Sequence, residues 1–394
     1  MTEQEPLFPQ GTWTPSARPA TGPAPVPIQR LTADDPTPPG RARVSFRHHA
    51  PQARVVALQA NGWWQPDPPR ACDLEPVGDG WFTGSFAVPA DWCCSYGFLE
   101  HEGRDDPPWW SHGLKSRGVD VVVDRTNPRR HSAGRAGERS LLDLVEGPPD
   151  APAQEPVLHP GGPLDGGEGP DWQWSILTGV EETPAEDLPL LVLTDGEAHR
   201  RLDTAGRLQS AVDAGRLQPL AVVLVDAGPD RAEQLGMPGA QAEWIATTLI
   251  PALQDGTGPL PRPVAADPAR TVVSGSSFGS LTSLFALAHA PQRIGAVIAQ
   301  STSLWRFPEG ALVTPLSRAV RANPRIRLRL QAGRYEGDMP SRSQDLVDTL
   351  VRQGADARLR VHSGGHDWAW WQPRMIDELA DLLSDPPSAP SPRR

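Results

Sequence analysis

The stretch TVVSGSSFGSLTSLFALAHAP, residues 271–291, decides the fold. An apolar, β-branched run leads into Gly275-Ser276-Ser277-Phe278-Gly279, and a helical run follows as far as Pro291. The pattern predicts a buried strand, a tight turn and a buried helix. Gly275 and Gly279 bracket Ser277 in G-x-S-x-G, the spacing of a strained strand-to-helix turn that lifts a serine Oγ to the carboxyl edge of a sheet. The positions two before and two after the serine must lack a Cβ for that turn to close. Such a turn aims the N–H of Phe278 at a developing oxyanion, and the helix N-terminus adds a favourable field. The bland alternative is a glycine-rich turn with incidental serines. The strand–turn–helix context favours a nucleophile at Ser277.

Working outward, LPLLVLTDG, PLAVVLVDAG, IGAVIAQST, RIRLRLQAG and ARLRVHSGG are near-continuous apolar runs, as expected of parallel strands buried on both faces. Amphipathic stretches such as EWIATTLIPALQ, RSQDLVDTLVRQG and MIDELADLL separate them. Strands alternating with helices predict an α/β domain over 172–384, a mostly parallel sheet of the α/β-hydrolase type. Upstream, ARVSFRHH, RVVALQAN, GWFTGSFAVP and CSYGFLEHEG are short β-rich runs between turn residues. They predict an antiparallel β-sandwich, Ig-like or early-set, over 41–145. Residues 146–171 read as a linker. Residues 1–40 and 385–394 read as disordered on composition, with Trp13 and Leu31 as possible docking points.

Composition removes several chemistries. The formal net charge is −11, against a nucleic acid or an anionic membrane as main partner. The chain has one lysine, Lys115, so there is no GK[ST] phosphate loop, no SxxK pair and no Schiff-base lysine in the second half. Cys72, Cys93 and Cys94 form neither a disulfide framework nor a CxxC metal spacing. The start MTEQEPLFPQG lacks the features of a signal peptide, and no apolar run is long enough to span a bilayer. A cytoplasmic enzyme without metal or cofactor is the expectation.

A serine nucleophile needs a base and an orienting acid, in the chain order Ser, acid, His. Three histidines follow Ser277: His289 late in a helix, His362 within a strand, and His366 in the loop SGGHDWAWW. A double-glycine loop after a strand is where the base belongs, so His366 is the candidate. The preceding strand ends in RYEGDMPSRS, which offers Glu336, with Asp338 as a competitor. The second oxyanion donor should follow LPLLVLTDG, making the N–H of Glu197 a candidate.

Several ordered strings together resemble the enterochelin (enterobactin) esterase family of α/β-hydrolases. They are LLVLTDGE, RAEQL, the serine stretch through STSLW, QAGRYEGD and GGHDWAWW. Upstream, NG at 61–62, GWFTGSFAVPADWCCSYGF and DRTNPR resemble that family's N-terminal β-domain. The resemblance covers most of 41–383. It implies a cytoplasmic serine esterase, free of cofactors, acting on a catecholate siderophore of the enterobactin type, ferric or iron-free. By position it supports Ser277, His366 and Glu336 as the triad. It also implies Arg231 as a positive group facing the anionic substrate and Trp305 as a pocket wall. Trp368, beside the base, is a further candidate for stacking on catechol rings. Ser280, Thr302 and Arg306 depart from the family's usual residues, as does Tyr335-Glu336-Gly337 in the acid loop. These departures fall on pocket walls and on the acid's support. Two other readings compete: a general carboxylesterase or acyltransferase on another ester, and a glycan-binding protein that uses Trp63, Trp64, Trp81, Trp92, Trp109 and Trp110 beside a degenerate hydrolase domain.

Overall fold

The computed structural model describes residues 6–9, 11–16, 29–61, 71–101, 121–132, 137–145, 151–164, 167, 169–179 and 188–384. The N-terminal domain is a sandwich of two antiparallel sheets. One joins Gln29–Leu31, Glu75–Gly78 and Arg41–His49 to the central strand Trp81–Pro89. The other runs Val55–Ala60, Cys93–His101, Glu138–Asp143, Arg130–Ser132, with Val121–Val122 also on Cys93–His101. Alternating inward residues meet between the sheets, including Phe46, Leu58, Phe86, Trp92, Tyr96 and Phe98. Trp92 is fully enclosed there and Trp81 lies under the guanidinium of Arg47, so neither forms an open aromatic platform. Trp63, Trp64, Trp109 and Trp110 fall outside the described residues.

The second domain is built on an eight-stranded sheet among the described residues. Its strand order is His159–Pro160, Trp172–Leu177, Leu220–Val225, Leu190–Thr194, Thr271–Ser276, Ala296–Gln300, Arg327–Gly333, Asp356–His362. The last six are parallel. They are the six runs singled out in the sequence, and Val192, Val223, Val273 and Val297 are fully buried among them. The last, Asp356–His362, is instead a partly exposed edge strand, not one buried on both faces. The helix Phe278–His289 packs on one face with Leu281, Leu284 and Phe285, and Trp368–Ser384 covers the other with Met375, Ile376 and Leu379.

Three boundaries differ from the composition-based expectation. Residues 6–16 are docked where they are described: Trp13 is buried edge-on against Phe285 and Phe307, 5.1 and 4.9 Å between centroids. Gln29–Leu31 adds a strand to the sandwich, so that domain begins before residue 41. His159–Pro160 pairs with Trp172–Leu177 inside what reads as a linker. Trp13 and Leu31 are the docking points the sequence offered. Proline-rich composition hid the extent of the ordered segments, because isolated aromatic or aliphatic anchors carry no periodicity.

Candidate active site

Ser277 sits between the strand Thr271–Ser276 and the helix Phe278–His289 at φ 60°, ψ −115°, a conformation that a residue with a side chain adopts only under strain. Its N–H donates to Gln300 O at 2.8 Å. The flanking glycines are required by contact. A Cβ on Gly275 would overlap Thr194 Oγ1 and the carbonyl of Gly279, and a Cβ on Gly279 would overlap Thr194 Oγ1. Ser277 Oγ lies 3.3 Å from Ser303 Oγ.

Along the same carboxyl edge, His366 follows the last strand and Glu336 follows its neighbour. Glu336 Oε2 is 3.4 Å from His366 Nδ1, and the Glu336 side chain is 1% exposed. Its other oxygen accepts from Ser301 Oγ at 2.7 Å and from the Gly333 N–H at 3.2 Å. Trp371 Nε1 donates to Ser301 Oγ at 2.8 Å, and the Trp371 ring stands perpendicular to the His366 ring, 4.7 Å between centroids. Asp338 is elsewhere: it is half exposed and bonded to Arg342 at 2.6 Å at the start of the helix Met339–Arg352. The competing acid therefore does not reach the histidine.

His362 is partly buried with its ring against Trp370, and burial, then Arg374 and Arg360, lower its pKa to about 4. His289 Nε2 meets Pro238 O at the helix end. Neither lies beside Glu336.

Glu197 is in the first turn of the short helix Gly196–Arg201, where N–H groups have no carbonyl one turn before them. Its side chain turns aside to accept from Ala227 N at 3.0 Å. Ahead of that helix, Asp195 is 4% exposed and takes a two-pronged ion pair from Arg231, with Nε on Oδ1 and Nη2 on Oδ2 at 2.7 Å. Burial opposes the charge on Arg231, but the carboxylate outweighs it and raises the pKa. Arg231 is thus engaged within the protein, with Asp195 rather than Glu233 as its partner. It still lies over the Phe278 ring at 5.7 Å, and Trp305 packs on the same ring at 5.7 Å. Trp368 is edge-on to His199 and to Trp371, 5.1 and 5.2 Å.

The departures from the family pattern have internal partners. Ser280 Oγ and Thr302 Oγ1 share a buried hydrogen bond of 2.6 Å, so each hydroxyl has a partner in the other. Arg306 lies over Phe278 at 4.8 Å and donates to Gly236 O and Ala232 O, both at 3.0 Å. Sequence reasoning missed Ser301, Ser303 and His199. Serines at loop positions and a histidine in a short helix carry no motif, and only the juxtaposition of strand ends gives them a role.

Comparison with known proteins gives the family. Residues 178–382 match the family described as "Putative esterase". An iron(III) enterobactin esterase of Dickeya dadantii is 33% identical over 415 aligned residues, 89% of this chain and 90% of that protein. An iron(III) enterobactin esterase of Escherichia coli K12 is 29% identical over 320 residues, 74% of this chain and 77% of that protein. Among solved structures, the enterobactin esterase Fes of Shigella flexneri, crystallised in the presence of enterobactin, has a TM-score of 0.69 at 24% identity, covering 91% of this chain and 96% of that one. The ferric enterobactin esterase of Salmonella typhimurium gives 0.69 at 23% identity, with 91% and 96% covered. Fold and family together make this chain an ester hydrolase with the α/β-hydrolase architecture. It belongs to the esterase family that contains the iron(III) enterobactin esterases.

Proposed function

We propose that this chain hydrolyses the ester bonds of a catecholate siderophore of the enterobactin type, cyclic or linear, and so releases iron in the cytoplasm. The observation that carries the reading is the pairing of Glu336 with His366 at the sheet edge that also holds the Ser277 elbow, in a chain 33% identical to an iron(III) enterobactin esterase. No helix among the described residues is long and apolar enough to cross a membrane.

In this reading His366 Nε2 takes the Ser277 proton as Oγ attacks the ester carbonyl carbon. The carbonyl electron pair moves onto oxygen, and the N–H groups of Phe278 and Glu197 stabilise that charge. Collapse breaks the C–O bond, and the leaving alkoxide takes the proton from His366. Water, deprotonated by His366, then attacks the acyl carbon, the acyl–Oγ bond breaks, and Ser277 Oγ regains the proton from His366. Glu336 accepts from Nδ1–H and stabilises the imidazolium. Ser277 Oγ lies 3.3 Å from Ser303 Oγ, and catalytic hydrogen bonds often tighten only in the substrate complex. Trp305, Trp368 and Arg231 are the proposed pocket residues, with Arg231 acting through the charge it shares with Asp195.

The test is hydrolysis of ferric and iron-free catecholate trilactone, followed by chromatography beside a nitrophenyl ester. Release of catechoyl-serine units by wild type and not by Ser277→Ala is expected. Cleavage of the nitrophenyl ester alone would keep the serine chemistry and discard the siderophore. Full activity of Ser277→Ala would discard the chemistry.

A further inference from the structure

The loop that carries His366 is held from outside its own domain. Its sequence, Ser363-Gly364-Gly365-His366-Asp367, has two adjacent glycines and little stiffness of its own. The catalytic domain fixes its inner side: Gly364 O accepts from Tyr335 N at 3.1 Å, and Gly365 O accepts from Trp370 Nε1 at 2.6 Å. The outer side is satisfied by the sandwich domain. Cys93 N donates to Ser363 O at 3.1 Å, Asn61 Nδ2 donates to His366 O at 3.0 Å, and Ser95 N donates to Asp367 Oδ2 at 2.6 Å. Asn61 N also donates to Ser95 O at 2.9 Å, which ties the three donors into one edge of the sandwich. Cys93 Sγ reaches Ala369 O at 3.2 Å, and Cys93 and Leu141 pack with Ala369, Trp370 and Trp371. Gly364 lies so close that a Cβ there would overlap Trp370 and stand 3.2 Å from Cys93 O.

We propose that the N-terminal sandwich is a positioning part of the active site: Asn61, together with the Ser95–Asp367 contact, sets where the His366 imidazole stands relative to Ser277 and Glu336. Asn61 is a positioning residue and touches no reacting atom. Its amide fixes the backbone carbonyl of the base residue itself, and Asp367 is clamped immediately after it. His366 meets Glu336 at only 3.4 Å, a long hydrogen bond, so the acid alone does not define the ring's place. A displacement of the base by about 1 Å costs up to roughly a hundredfold in rate. The inference rests on the serine-esterase reading above.

The experiment compares Asn61→Ala, Asp367→Ala and Asp367→Asn in the full chain. Three readouts are followed: nitrophenyl ester kinetics, the pH profile of kcat/KM, and the rate at which a fluorophosphonate labels Ser277. Asn61→Ala and Asp367→Ala are expected to lower kcat and the labelling rate together by roughly tenfold or more with KM nearly unchanged, and to move the acidic limb of the profile. Asp367→Asn keeps an oxygen to accept from Ser95 N but loses the one that accepts from Ala369 N at 3.1 Å, and is expected to restore part of the rate. A folded Asn61→Ala protein with wild-type kcat, labelling rate and pH profile would overturn the proposal. So would losses that track only the unfolded fraction. Should Asp367→Ala fail to fold, Asn61→Ala decides, because its side chain leaves the sandwich core intact. Failure of the serine reading is a separate result: wild type would then not be labelled at Ser277 at all.

Discussion

Ser301 donates its hydroxyl to Glu336 Oε1 across 2.7 Å while its own oxygen accepts from Trp371 Nε1. The carboxylate that faces His366 is thus oriented by a relay starting at a tryptophan ring that also packs on the histidine. Removing the middle hydroxyl leaves an enclosed carboxylate oxygen with one fewer donor and an indole N–H with none. Ser301→Ala is expected to lower kcat roughly tenfold to a hundredfold with a small change in KM. Steady-state kinetics on a nitrophenyl ester checks it, and an unchanged kcat would remove Ser301 from the acid's support.

The two elbow glycines face different obstacles, and this separates their substitutions. A Cβ on Gly279 meets a side-chain atom, Thr194 Oγ1, whereas a Cβ on Gly275 also meets the backbone carbonyl of Gly279. Each alanine substitution is expected to cost about 1–3 kcal/mol and most of the activity. Adding Thr194→Ala should recover part of the loss for Gly279→Ala and little for Gly275→Ala. Denaturant unfolding of the two double-mutant cycles reads the difference, and equal recovery in both would contradict the contact argument.

Arg231 is bonded to a buried carboxylate, so its removal acts first on the protein. Arg231→Ala leaves Asp195, 4% exposed, without its cation. The expected loss is about 2 kcal/mol, below the figure for a fully buried pair because the arginine side chain is 36% exposed. A substrate-facing role would add a rise in KM for an anionic catecholate ester that a neutral nitrophenyl ester does not show. Equal KM changes for both substrates would leave Arg231 a purely structural partner of Asp195.

Two histidines make the fold sensitive to acid. Burial lowers His199 to about 3, and burial with Arg374 and Arg360 lowers His362 to about 4, from an ordinary value of 6.5. Above pH 6.5 neither folded nor unfolded chain protonates them, and they add no pH dependence. Below it the unfolded chain binds protons that the fold refuses, so stability falls with pH, through about 4 for His362 and about 3 for His199. The slope is about 1.4 kcal/mol per pH unit for each group. His199 is bonded to Thr204 at 2.9 Å, which a glutamine can also reach. His199→Gln is therefore expected to flatten the fall in unfolding free energy between neutral and mildly acid pH. Parallel curves for variant and wild type would show that another group dominates.

The sequence by itself determined the catalytic architecture. Parallel strands buried on both faces leave long apolar runs, and Leu190–Thr194 through Arg327–Gly333 were legible for that reason, whereas Asp356–His362 is a partly exposed edge strand. The elbow was legible because its geometry forbids side chains at Gly275 and Gly279. His366 stood out because a double-glycine loop after a strand is local information. The choice of Glu336 over Asp338 was not, since both lie in one loop and only packing turns the first toward His366 and the second toward Arg342. Tertiary structure alone decided that Arg231 is held by Asp195, that Ser280 and Thr302 pair, and that Trp13 belongs to the catalytic core. It also decided that Asn61 reaches the carbonyl of a residue 305 positions away. Contacts of that kind leave no period or motif, because they depend on which strand ends the folded sheet and the second domain bring side by side.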